Sequence, residues 1–234
     1  MRAVILAGGK GVRLMPYTAV LPKPLVPIGG ELPILEIVIR QLKRDGFTHI
    51  TIAVNHLANL IMAFFGDGEK WGIRIDYSIE DKPLSTIGPL TLIKDLPEKF
   101  LVMNGDILTD MSFSALLANH VDGGHDLSVA SYVRKHKVDF GVLNINKKNS
   151  VIGFEEKPEY TFRVSMGVYI LNKSIVDQLE VGSEYGFDNL MLDGIDKDLK
   201  IHSYAFDGYW LDIGRPDDYL QANKDYPRLK STIL

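Results

Sequence analysis

The sequence predicts an α/β protein: a Rossmann-like, open, mixed but mostly parallel sheet with helices on both faces. Three observations predict it. Short apolar segments alternate with helically spaced ones over the first hundred residues. The chain starts with an apolar run, Val4-Ile5-Leu6-Ala7, that closes on glycines, as a buried first strand of a parallel sheet does. The glycine stretch after that run and Asn104-Gly105-Asp106 both fall at carboxyl ends of strands, where such sheets bind ligands.

Taken in order, Met1 to Ala7 is the first strand. A loop follows from Gly8 to about Gly30, with prolines at 16, 22, 24 and 27 that block helix. A structureless stretch this long inside a domain is usually functional. Ile34, Leu35, Val38, Ile39 and Leu42 place a helix over Pro33 to Asp45, closed by Gly46. His49 to Val54 is a strand, Ala58 to Phe65 a helix, and Ile73 to Tyr77 a strand. Pro83 to Gly88 is loop, Pro89 to Asp95 a short helix, and Phe100 to Met103 a buried strand. No element is assigned between Ile107 and Asp126. Leu127 to Val133 is a strand, and Gly141 to Ile145 with Val151 to Glu155 a hairpin around Asn146-Lys147-Lys148-Asn149. Val164 to Leu171 and Ile201 to Phe206 are strands, with helices over Lys173 to Leu179 and Asn189 to Asp196 between them. Tyr209 to Gly214 leads into a last helix from about Pro216. No repeat or linker divides the chain, so residues 1–234 read as one domain. Its lobes are about 1–110 for nucleotide and about 111–234 for sugar phosphate, as the motifs below imply.

Composition narrows the function. The 234 residues are 46% apolar, enough for a sizeable core. The net charge of −4 offers no excess of cations to nucleic acid or an anionic membrane. No apolar run approaches the ~18 residues of a membrane span, and the N-terminus lacks signal-peptide features. There is no cysteine, so thiolate metal sites and disulfides are excluded. The six histidines show no ligand spacing. These features set the expectation of a cytoplasmic protein. A homo-oligomer is allowed, with no segment marking its interface.

Three constellations carry chemistry. In Gly8-Gly9-Lys10-Gly11-Val12-Arg13, glycines let backbone N–H groups approach an anion, and Arg13 with Lys23 of Pro22-Lys23-Pro24-Leu25 adds full positive charge. A dinucleotide fingerprint would open a helix and carry a distant acid, and a Walker loop would end in Gly-Lys-Ser/Thr; neither pattern is present. Asp106 and Asp212, at two strand ends, are hard oxygen ligands suited to Mg²⁺ if the fold brings them together. Glu155-Glu156-Lys157-Pro158 closes a strand with charge that suits a phosphate and sugar hydroxyls, or simply a solvated hairpin exit.

Together with Phe140-Gly141-Val142, Met166-Gly167-Val168-Tyr169 and Trp210-Leu211-Asp212-Ile213-Gly214, these motifs resemble the sugar-1-phosphate nucleotidyltransferases over nearly the whole chain. The resemblance implies the nucleotidyltransferase fold and the reaction of an NTP with a sugar 1-phosphate to give an NDP-sugar and pyrophosphate. It implies that Leu6, Gly8, Gly9 and Gly11 border the nucleotide, with Lys82 and Gly88 of the stretch Lys82-Pro83-Leu84-Ser85-Thr86-Ile87-Gly88 beside the base. Arg13 would clamp the β and γ phosphates and Lys23 the α phosphate. Asp106 and Asp212 would hold Mg²⁺. Lys157 would take the sugar phosphate, while Gly141, Glu156 and Ser165 would take the sugar.

Similarity to small mannose-1-phosphate guanylyltransferase-like members favours GTP with a mannose or manno-heptose 1-phosphate, for polysaccharide or glycoconjugate synthesis. The alternatives are dTTP, UTP or CTP with glucose 1-phosphate or another acceptor, and a non-catalytic nucleotide-sugar sensor. Three departures stand out. Ser165 replaces a common asparagine, Ser85 replaces a common glycine, and no β-helix domain follows Trp210-Leu211-Asp212 in this sequence.

Overall fold

The computed structural model describes residues 1–234. In chain order its strands are β1 (Arg2–Leu6), β2 (Pro27–Ile28), β3 (Leu32–Pro33), β4 (His49–Val54), β5 (Arg74–Ile79), β6 (Lys99–Asn104) and β7 (Ile107–Thr109). They continue with β8 (Leu127–Lys137), β9 (Val142–Ile145), β10 (Val151–Glu155), β11 (Glu159–Asn172), β12 (Ile201–Phe206) and β13 (Trp210–Asp212). The helices are α1 (Ile34–Arg44), α2 (Ala58–Phe65), α3 (Phe113–Asp122), α4 (Lys173–Val176), α5 (Phe187–Asp196) and α6 (Pro216–Ile233).

Seven strands form one sheet in the order β12-β8-β11-β6-β1-β4-β5. Every neighbouring pair is parallel except the two that β11 makes, with β6 and with β8. The mostly parallel mixed sheet is therefore as the sequence predicts. Strands from both halves of the chain join in it without a break.

The central strands are buried on both faces. Ala3 and Ile5 of β1 pack with Leu35, Val38 and Ile61 on one side. Val4 packs with Leu90, Phe100 and Val102 on the other. A third cluster joins Leu14 of the long loop to Ile34, Ile213 and Tyr226. The loop is thereby clamped between α1 and α6, although its sequence is too proline-rich for regular structure. No helix is long and apolar enough to cross a membrane.

Three expectations need correction. The unassigned stretch between Ile107 and Asp126 holds β7 and α3. Ser112 caps α3, its Oγ accepting from the Ala115 N–H at 3.2 Å. The expected helix at Pro89 to Asp95 is a 3-10 turn over Gly88–Leu92. Strands β8 and β11 run well past the sheet core as an exposed ribbon, where the sequence reading stops both at the buried segment.

His120 is wholly buried, with its ring nitrogens against Ser128 Oγ at 2.9 Å and Asn172 Oδ1 at 3.1 Å. Burial chiefly holds its pKa below the ordinary value. A histidine so depressed is neutral in the fold, and its contribution is complete above the unfolded value of about 6.5 and is lost as pH falls below it. The melting temperature should therefore drop on acidification through that range, and His120→Gln should flatten the slope. An unchanged slope in the variant would assign the acid sensitivity elsewhere.

Candidate active site

The carboxyl ends of β1, β4 and β6 are tied together. Ala7 N–H donates to Ala53 O at 2.8 Å, and Gly105 N–H to Leu6 O at 2.9 Å. The glycine loop and Asn104-Gly105-Asp106 therefore lie side by side at one edge of the sheet.

The loop then folds back on itself. Gly11 sits at φ 63°, where a side chain would be strained, and a Cβ there would meet Thr18 Cγ2 at 3.0 Å and Lys23 Cβ at 3.3 Å. The Thr18 hydroxyl donates to Gly11 O at 2.8 Å and pins the turn. Lys23 is thus brought against the glycines, and its Nζ forms an ion pair with Asp106 Oδ2. Asp106 Oδ1 is buried and has no partner.

The second aspartate arrives from the far end of the chain. β13 pairs antiparallel with β7, setting Asp212 opposite Ile107, and Ile213 N–H donates to Asp106 O at 3.0 Å. The two acids that the sequence could not pair are neighbours. Burial, and then the Asp106 charge, push the Asp212 carboxyl above the usual carboxylate range, against the pull of Lys23 and Arg13. Arg13 lies beside Gly214, its guanidinium 3.6 Å from where a Cβ of that glycine would stand. It makes no ion pair, so its charge faces the cleft uncompensated.

Two clefts join at the glycine loop. One, about 270 Å³, is lined by Gly9, Gly11, Arg13, Lys23, Asp106 and Gly214. The other, about 450 Å³, shares Leu6, Gly9, Lys10 and Asp106 with it and extends over Gly8 to Asn55, Glu80 and residues 83–86. Ser85 lines this second cleft at φ 64°, a left-handed conformation that favours glycine. Neither Lys82 nor Gly88 lines it. Gly88 is buried, its N–H donating to Tyr185 O at 2.9 Å, and a Cβ there would stand 2.4 Å from Ser183 O. Its place in the loop is one of packing.

Glu80 is the residue the sequence reading misses. It is buried, and burial chiefly raises its pKa. Its Oε2 accepts weakly from Leu84 N–H at 3.3 Å, while Oε1 points at Gly8, 3.0 Å from a Cβ there. The signal was an acid closing β5 at the same sheet edge as the glycine loop.

The expected sugar residues are more dispersed. Gly141, Glu156 and Lys157 meet at the root of the β9–β10 hairpin: Glu156 Oε2 is 3.3 Å from the Cβ position of Gly141, and Lys157 Nζ is 4.0 Å from Glu156 Oε1. None of the three lines either cleft. Ser165 donates to Tyr169 Oη at 3.2 Å and accepts from Gly167 N–H at 3.3 Å. Gly167 backs onto Asn104, and Trp210 Nε1 donates to Met166 O at 3.1 Å. The β11 irregularity after Ser165 is thereby fastened to both aspartate-bearing strands.

The paired carboxylates, one with an orphaned buried oxygen and one with an elevated pKa, fit a divalent cation. No third carboxylate or imidazole joins them, so a cation held here would take its other oxygens from phosphates and water.

A family model described as nucleotidyl transferase matches residues 2–228. The chain is 34% identical over 229 residues to the mannose-1-phosphate guanyltransferase of Schizosaccharomyces pombe, covering 94% of this chain and 62% of that protein. It therefore spans under two thirds of that relative's length. Among solved structures, HddC from Yersinia pseudotuberculosis matches with a TM-score of 0.75 at 28% identity, over 96% of this chain and 99% of that one. The same protein complexed with GMP-PN matches with a TM-score of 0.73 at 27% identity.

Proposed function

The chain belongs to the nucleotidyl transferase family, and on that premise we propose that it transfers a guanylyl group from GTP to mannose 1-phosphate or a manno-heptose 1-phosphate, releasing pyrophosphate. The observation that carries the reading is a single cleft system in which Arg13, Lys23 and the Asp106–Asp212 pair stand at one end and the unpartnered Glu80 oxygen at the other.

The chemistry needs no side-chain base. A sugar phosphate is already an anionic nucleophile, and its oxygen forms the new bond to the α phosphorus as the bond to the bridging oxygen breaks. The obstacle is charge, since two anions must meet and a third must leave. Backbone N–H groups of Gly9 and Gly11 with the Arg13 guanidinium would hold the β and γ phosphates. Lys23, now on Asp106, would turn to the α phosphate once a cation takes over that carboxylate. Mg²⁺ between Asp106 and Asp212 would supply Lewis-acid stabilisation. Positioning and electrostatics do the rest. The hairpin root with Gly141, Glu156 and Lys157, together with Ser165, would receive the sugar phosphate. NDP-sugar made in this way would feed glycosyl transfer into polysaccharide or glycoconjugate.

The choice of GTP rests on the relatives and on Glu80. Guanine presents two adjacent N–H donors on its pairing edge, which match a carboxylate; uracil, thymine, cytosine and adenine each place an acceptor beside the donor. A lost charge-assisted hydrogen bond is worth about 1.5–3 kcal/mol. Glu80→Gln should then lower kcat/KM for GTP by roughly 10- to 150-fold and narrow the preference over UTP. An unchanged GTP:UTP ratio would remove Glu80 from base selection. The reading as a whole is tested by pyrophosphate release from each common NTP paired with a panel of sugar 1-phosphates. Release with UTP or dTTP and glucose 1-phosphate would favour that alternative. Binding without release from any pair would favour a sensor.

A further inference from the structure

The β9–β10 hairpin is a two-stranded ribbon outside the main sheet, with both edges free. Its register sets Leu143 opposite Phe154 and Ile145 opposite Val151, across one irregularity between Val151 and Gly153. Strand alternation puts these four side chains on one face. The opposite face carries Asn144 and Glu155, joined by an Nδ2–Oε1 hydrogen bond of 3.3 Å. The apolar face is bare: Leu143 and Ile145 are each 57% exposed, Val151 59% and Phe154 60%, with Ile152 at 68% and Phe140 at 77% beside them. An isolated two-stranded hairpin is marginal in water, and a contiguous apolar face of this kind marks an interaction surface.

The charge pattern on the same ribbon identifies the partner. The turn carries Lys147 and Lys148, neither in an ion pair. The root carries Asp139 and Glu155, also without cationic partners. A ribbon that is basic at its tip and acidic at its root, with an apolar face between, is its own complement when a second copy is laid antiparallel on it. That is the requirement of a two-fold isologous contact, in which each pairing occurs twice. The six apolar side chains expose on the order of 700 Å² together, close to the ~800 Å² one partner gives a stable interface.

We infer that two copies of this chain associate through the β9–β10 hairpins, apolar face to apolar face, with Lys147 and Lys148 of each copy against Asp139 and Glu155 of the other. The contact begins one turn of chain from Gly141 and Glu156, so association also steadies the hairpin root. The proposal is independent of which nucleotide and sugar are used, because sedimentation reads it directly.

Sedimentation equilibrium of the full chain should show a monomer–dimer equilibrium at micromolar concentration. Ile145→Ser with Phe154→Ser should raise the dissociation constant by about 100-fold or more. Lys147→Glu with Lys148→Glu lies on the exposed turn, so the fold is unaffected; it should raise the constant by roughly tenfold. Adding Asp139→Lys and Glu155→Lys to that same chain should restore it, which only a tip-to-root contact predicts. A wild-type protein that stays monomeric overturns the inference. So does a dimer insensitive to the serine pair, or a charge reversal that the second reversal does not rescue. Binding to anionic vesicles that the serine pair abolishes, with the protein monomeric, would assign the face to a membrane and overturn it equally.

Discussion

Arg13→Ala is expected to lower turnover by about two to three orders of magnitude, and Lys23→Ala by a similar factor. Both remove a cation from a site whose problem is anionic charge, and losing one preorganised donor of that kind typically costs about 3–4 kcal/mol in the transition state. The two should differ in what else they change. Arg13 is unpaired, so its removal leaves the rest of the site intact. Lys23 sits on Asp106, so its removal leaves a partly buried carboxylate without its cation. Lys23→Ala should therefore also lower the melting temperature of the free protein, and Arg13→Ala should not. Single-turnover pyrophosphate release and thermal melts on the same samples separate these effects. Near-normal release in both variants would end the role given to this loop.

Asp106→Asn and Asp212→Asn come next in size, each expected to lower turnover by at least about 100-fold at fixed Mg²⁺, in line with the loss of one charged stabilising group. Each should also move the Mg²⁺ concentration needed for half-maximal rate upward. A variant that lost rate with no change in metal requirement would show its carboxylate to be structural. The elevated pKa of Asp212 adds a pH dependence with a defined sign. Its carboxyl takes up a proton at a higher pH than an ordinary aspartate, so cation binding should weaken on acidification sooner than for an unperturbed pair. Mn²⁺ binding followed by calorimetry across weakly acid to neutral pH would reveal it, and Asp212→Asn should remove that dependence.

Legibility in the sequence followed the range of the forces involved. β4 and α2 have the residues that apolar period and closing glycine predict, because burial pattern and chain stops are local. The strand ends of β8 and β11 were not legible, since their outer residues alternate in polarity while packing on nothing. The α3 helix was missed although Ser112 marks its start, because its weak apolar stripe competes with a neighbouring strand signal.

The site divides in the same way. Glycines followed by Arg13 and Lys23 establish from sequence alone that an anion is handled after β1, since residue type and spacing suffice for that chemistry. Membership of the chemical class likewise rests on motifs in order. The tertiary structure alone decided that β13 lays Asp212 beside Asp106, and that the loop's return brings Lys23 onto that pair. It also decided that Glu80, an unremarked acid in the sequence, ends beneath Gly8 with an unpartnered oxygen, and that Gly88 turns to packing instead. The reason is physical: charge and hydrogen-bonding capacity belong to the residue, but pairing, desolvation and direction depend on neighbours that only the folded sheet supplies.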